Sequence, residues 1–112
     1  MTAVNRTRAL VLESPVQVAD GAGGFAETWV ALGTLWAEVT ARTARETAGE
    51  GGALALAAYR ILVQGAPVGA SNRPRPGQRF RDGLRTFRIL AVAEADTAAR
   101  HLVCTCEEET AP

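Results

Sequence analysis

The side chains that could perform chemistry are few. His101 is the only histidine, and Cys104 and Cys106 are the only cysteines. A hydrolase would need the histidine beside an activated nucleophile and an orienting acid. On a strand of period 2, His101 shares a face with Val103 and turns away from Cys104, so it reads as a surface or barrel-wall histidine. The two thiols fall on one face, where a disulfide between them would be badly strained. A zinc site wants four ligands, and with one histidine a metal would have to borrow carboxylates or a neighbouring subunit. Two small core residues are the simpler reading. The run Asp20-Gly-Ala-Gly-Gly lacks the Gly-Lys-Ser/Thr ending of a phosphate loop and leads into a strand rather than a helix. No carboxylate pair, triad or metal spacing remains, so the sequence predicts a non-enzyme that uses no metal and no cofactor.

Charge is balanced but unevenly spread. The twelve basic residues are all arginine, against twelve acids, for a formal charge of zero, which gives no overall pull toward nucleic acid or an acidic membrane. From Arg60 to Arg88 there are seven arginines against Asp82 alone. The tail reverses this, with Glu94, Asp96, Glu107, Glu108 and Glu109 against Arg100. Such an asymmetry is either a solvated face and a polar terminus, or a means by which copies dock head to tail. Met1 to Leu12 holds two arginines and no apolar stretch of signal-peptide length, and no run approaches the roughly 20 apolar residues of a membrane helix. These features predict a soluble, cytoplasmic chain with free thiols.

The elements that must position these residues are short strands. A chain of 112 residues holds one domain, with an ordered core expected over about 6–109. Leu10, Leu12, Val16 and Val18 alternate with Val11, Glu13 and Gln17, the pattern of a half-buried strand; Pro15 marks an edge or a bulge. Asp20 to Gly24 is a hairpin turn. Phe25 to Val30 alternates again, and past a kink at Gly33 the run Leu35–Thr40 places Leu35, Ala37 and Val39 on one face. Residues 41–52 suggest a short helical turn entering a flexible, glycine-rich loop, over 41–53 in all. Leu56 to Gln64 reads as a strand through Tyr59, Ile61 and Val63. Three prolines and three glycines make residues 65–77 a loop. Gln78 to Arg81, a turn at Asp82-Gly83, and a strong strand from Thr86 to Ala93 follow, with Phe87, Ile89 and Ala91 on one face and Leu90 and Val92 on the other. The last strand runs from Arg100 to Glu107. The expected fold is all-β: a small antiparallel barrel or sandwich of six to seven strands with one short helical turn or loop insertion.

Three stretches in this order resemble one family. DGAGGFAETW from Asp20 to Trp29, followed by LGTLWAEV to Val39, is similar to the N-terminal signature of the head–tail joining (head-closure, or stopper) proteins of tailed phages. RPGQRFRDGLRTFRILAV, from Arg75 to Val92, resembles that family's hairpin, and HLVCTCEEE its last strand and acidic end. The similarity spans roughly Arg6 to Glu109, with a vague stretch from Thr43 to Ala58.

The resemblance implies a structural neck protein of a phage, a prophage or a gene transfer agent, assembled in the bacterial cytoplasm. It would form a homo-oligomeric ring of six or twelve copies. A portal or adaptor ring would lie on one side, a tail terminator or tail tube on the other, and packaged double-stranded DNA in the lumen. The family's channel-closing loop corresponds here to Ala41–Ala53, although bulky residues are scarce for a plug. On that loop Arg42 and Arg45, with Glu46 beside them, would meet DNA phosphates, blind to sequence; the bland alternative is a solvated loop. Arg73, Arg75 and Arg79 would pair with Glu107 and Glu108 of the next copy, and Trp29 and Trp36 either cap the core or sit at a subunit contact. The competing readings are a free-standing nucleic-acid-binding barrel and another neck component such as a tail terminator. The first is disfavoured by only six aromatic residues, loosely interleaved with arginine.

Overall fold

The computed structural model describes residues 5–42, 45–49 and 52–109, with backbone alone over 45–49 and 52–56. Seven strands follow one another: β1 (Arg8–Ala19), β2 (Phe25–Ala41), β3 (Arg45–Gly49), β4 (Gly52–Gln64), β5 (Arg79–Asp82), β6 (Arg85–Glu94) and β7 (His101–Glu109). The hydrogen-bonded order is β2-β1-β5-β6-β7-β4-β3, and a further β2–β4 pairing brings the sheet back on itself. Six strands therefore close into an antiparallel barrel, which removes most of the free sheet edge. β3 stands outside that ring as the first strand of a hairpin with β4.

The barrel is filled by alternate residues of every strand in it. Leu10 and Leu12 of β1, Ala37 of β2, Ile61 and Val63 of β4, Phe80 of β5, Phe87 and Ile89 of β6, and Leu102, Cys104 and Cys106 of β7 are all buried together. Tyr59 sets its ring edge-on to Phe87, with centroids 5.1 Å apart and planes at 78°, a favoured aromatic geometry. The interior is a packed core.

The all-β expectation holds, and four details of it change. Residues 45–49 form a strand paired with 52–56, not a helical turn; among the described residues there is no helix. The helix-tolerant residues there are outvoted by the pairing that a hairpin with β4 supplies. The two runs on either side of Gly33 are one strand, because the kink is a β-bulge: Leu12 faces Gly33 and Glu13 faces Ala31, leaving Leu32 as the extra residue. Gly33 takes φ +149°, a conformation that side chains rarely adopt. In β6, Ile89 faces Cys106 while Ala91 faces Thr105, so Leu90 bulges. That extra residue moves Val92 to the side of Phe87 and Ile89 and sends Ala91 outward, reversing the expected faces. Finally, Val16 and Val18 share the face of Leu10 and Leu12 but are exposed. β1 pairs with β5 only as far as Glu13, so beyond that point the barrel no longer covers them.

The loop of residues 65–78 is tied down over one end of the barrel. Pro74 and Gln78 are buried, and Gln78 exchanges bonds with Arg75 through backbone and side chain. A Cβ on Gly65 would lie 2.1 Å from the Ala99 carbonyl oxygen, so only glycine permits that approach.

Candidate functional site

The sites suggested by the sequence lie on the outside of the barrel. The β1–β2 hairpin leaves the barrel after Glu13 as a two-stranded arm, Ser14–Ala19 against Phe25–Val30. Its tip is closed by Asp20, whose carboxylate accepts the backbone N–H groups of Ala22 at 2.8 Å and Gly24 at 3.0 Å; these bonds lower its pKa. The hairpin turn is thus an Asx-type turn.

Where the arm meets the barrel, β1 and β5 bring three charges together. Arg79 donates from Nε to Glu13 at 2.8 Å and Arg81 donates from Nε to the other carboxylate oxygen at 2.9 Å. Burial alone would raise the Glu13 carboxyl, but the hydrogen bonds and charges of Arg81 and Arg79 outweigh it and leave the pKa below its ordinary value. The guanidinium of Arg79 also lies over Trp29, 4.0 Å from the ring centroid. Trp29 therefore belongs to neither the buried core nor a bare surface; it pins the arm by a cation–π contact. Trp36 is 59% exposed on the outer face of β2.

A second cluster joins β6, β7 and β4. Arg85 donates to both oxygens of Glu108, at 2.7 and 3.1 Å, and to the Tyr59 hydroxyl at 3.1 Å. The bidentate contact lowers the Glu108 pKa and raises that of Arg85. Two of the residues singled out for contacts between copies, Arg79 and Glu108, are thus engaged within the chain. Arg73 donates to the Ala66 carbonyl at 2.9 Å, while Arg75 is exposed. With Ser14, Leu32 and Gln78 these two arginines line a cleft of about 270 Å³ at the foot of the arm. Glu107 faces Arg88 and Ala58 across its neighbouring strands.

Arg42 is exposed just after β2 and donates its backbone N–H to Ala58. Arg45 and Glu46 lie on β3, and their side chains fall outside the described residues. Arg42 and Arg60 flank an open groove of about 370 Å³ on the outer face of β4 and β7, floored by Ala58, Val103 and Thr105. Sequence reasoning missed this groove, and it missed Glu13, Arg81 and Arg85. The cross-strand registers that assemble them carry no local signal, although Glu13 inside an apolar run was a hint.

The residues with reactive potential sit apart. Cys104 and Cys106 are in the core, and burial pushes the Cys104 thiol up to about 12 and raises Cys106 as well, so both stay protonated. His101 is half-buried with Nδ1 3.8 Å from Asp96, on the opposite side of β7 from Cys104.

Comparison with known proteins finds both a family and solved relatives. The sequence matches the family described as phage head completion protein over residues 1–109. A solved chain from the virion of a native gene transfer agent particle is 53% identical and superposes with a TM-score of 0.82, covering 99% of this chain and 100% of that one. Among curated protein sequences, none matches.

Proposed function

This chain belongs to the phage head completion protein family, a structural component of the virion, and from that premise we propose that it works by assembly and not by catalysis. Copies form a ring of six or twelve in the neck, between a portal or adaptor ring and the tail. The ring closes the channel behind packaged DNA and presents the surface on which the tail docks. The observation that carries this reading is the match to a chain of a gene transfer agent virion at 53% identity over 99% of this chain and 100% of that one.

The build of the molecule suits such a part. Its core is filled and its projections are the arm at one end of β2 and the β3–β4 hairpin at the other. A rigid barrel with two extensions can touch several neighbours at once, and repetition around a ring multiplies weak contacts. Arg42, Arg45 and Glu46 near the second hairpin are proposed to face the DNA, through phosphate contacts without base preference.

Deleting the gene and imaging the resulting particles tests the proposal. Filled heads that lack tails and lose DNA are expected; tailed particles that retain DNA would show the reading to be wrong.

A further inference from the structure

The arm leaves backbone unpaired on both of its sides. β1 pairs with β5 only up to Glu13 and β2 pairs with β4 only from Ala37, so beyond those points both edges of the hairpin are open among the described residues. Asp20 donates its N–H to the Gly24 carbonyl, and bonded and non-bonded pairs alternate along an antiparallel ladder. Val18 with Ala26 and Val16 with Thr28 are therefore the pairs that bond within the arm. Gln17 and Ala19 turn their N–H and C=O groups out along one edge; Phe25, Glu27 and Trp29 turn theirs out along the other. Pro15, which has no N–H, falls in the outward phase of β1, as a proline at a sheet edge does.

Open edges are normally blunted by proline, a bulge or a basic side chain. Here Pro15 and the Leu32 bulge stand at the foot of the arm. Beyond them, over residues 16–19 and 25–30, there is no proline and no basic residue, and Glu27 is the one charged side chain. Val16, Val18 and Val30, on the face away from Trp29, are 41%, 47% and 46% exposed. A two-stranded ribbon of this kind is marginal in water, and a strand added on either side supplies what it lacks.

The two edges suit one another better than either suits itself. Pairing β2 with β2 of another copy is two-fold: it brings Glu27 toward its own counterpart and leaves both β1 edges bare. Pairing β1 with β1 puts Pro15 into the ladder and leaves both β2 edges bare. Pairing β1 of one copy with β2 of the next sets Glu27 opposite Gln17 or Ala19, with no like charge, and every copy then uses both edges. Rotation about a ring axis also presents β2 of one arm to β1 of the next in the antiparallel sense that they have within the arm.

We propose that the β1 edge of each arm pairs with the β2 edge of the arm on the next copy, so that the arms form one continuous antiparallel sheet around the ring. This rests on the proposed ring and names its contact. The contact is heterologous and repeats from copy to copy until it closes. Each junction makes about four backbone hydrogen bonds, few for an isolated pair of molecules, and closure of the ring multiplies them. The valines of successive copies line up on one side of the sheet, each covering the flank of the next.

Disulfide trapping in assembled particles is the test. In a strain lacking the native gene, Val18→Cys copies are produced together with Ala26→Cys copies or, in a second strain, with Thr28→Cys copies. These are the positions Val18 faces when neighbouring arms are level or staggered by two residues. The native Cys104 and Cys106 are buried and do not compete. After oxidation, linked dimers are expected from one of the two mixtures and from no variant alone. The same position recurs only every second strand, about 9.6 Å away, beyond the reach of a disulfide. Tailed particles without a mixed dimer, or dimers from a single variant, would overturn the contact. Glu27→Pro checks it without cysteines, because it deletes an outward N–H and none of the arm's own bonds. The purified variant should melt within about 4 °C of the parent, while tailed particles fall at least about tenfold; tailed particles at parental yield would also overturn it. None of these results bears on the head completion reading, which particle imaging after gene deletion tests separately.

Discussion

Arg79 is held between Glu13 and the face of Trp29, bonded to the carboxylate at 2.8 Å and stacked 4.0 Å from the ring centroid. One guanidinium thus couples the arm to the barrel wall. Arg79→Ala removes a charge-assisted bond and a cation–π contact together and leaves Glu13 with Arg81 alone; it should destabilise the fold by about 2 kcal/mol. Arg79→Lys keeps the charge but loses the planar stack and should recover only part of that loss. Urea unfolding of both variants measures the difference.

Glu13 and Glu108 give the fold a defined acid sensitivity. Both carboxyls titrate below the usual 4.5 in the folded chain. For Glu13 burial pushes upward and is outweighed by Arg81 and Arg79; for Glu108 the bond from Arg85 leads. A folded pKa below the unfolded one means that the stabilisation is fully present above the unfolded pKa and is lost as pH falls through the folded pKa. Urea midpoints should be level from pH 7 to about pH 5 and then decline. Glu13→Gln should lower the plateau and flatten the decline; an unchanged slope would remove Glu13 from the account.

The two glycines with steric reasons should resist alanine. Gly65→Ala drives a methyl into the Ala99 carbonyl and should cost more than about 2 kcal/mol. Gly33→Ala places a side chain at φ +149° and should cost about 1 kcal/mol or more. Thermal melts rank them, with Gly65→Ala the lower.

The buried thiols report opening of the barrel. Cys104 and Cys106 should be silent toward an aromatic disulfide reagent at pH 8 in the native chain and react fully in denaturant. Fast labelling of the native chain would mean that β7 leaves the barrel readily.

Arg42→Ala with Arg45→Ala should leave the barrel's melting temperature unchanged, since Arg42 is exposed and Arg45 lies on β3, outside the closed ring of strands. If these residues face DNA in the ring, particles carrying the double variant lose DNA faster than parent particles, and the loss is steeper in high salt. Equal retention would remove them from the channel.

Period-2 alternation and glycine punctuation made the all-β class legible in the sequence, along with six of the seven strands. Leu10 and Leu12, Ile61 and Val63, and Cys104 and Cys106 could be placed in a core without coordinates, because a strand's two faces are a local property of the chain. The Asp20 turn was legible for the same reason. What lies opposite a strand is not local. The Leu32 and Leu90 bulges exist only in relation to β1 and β7, so the faces of Ala91 and Val92 could not be read in advance. Val16 and Val18 carry the pattern of core residues and become an exposed face because β5 begins only at Arg79, after the loop of residues 65–78. Glu13 meets Arg79 and Arg81 across more than sixty residues of chain, and only the closing of the barrel sets that register. Local alternation determined which residues could be inside; the point at which each neighbouring strand ends decided which of them are.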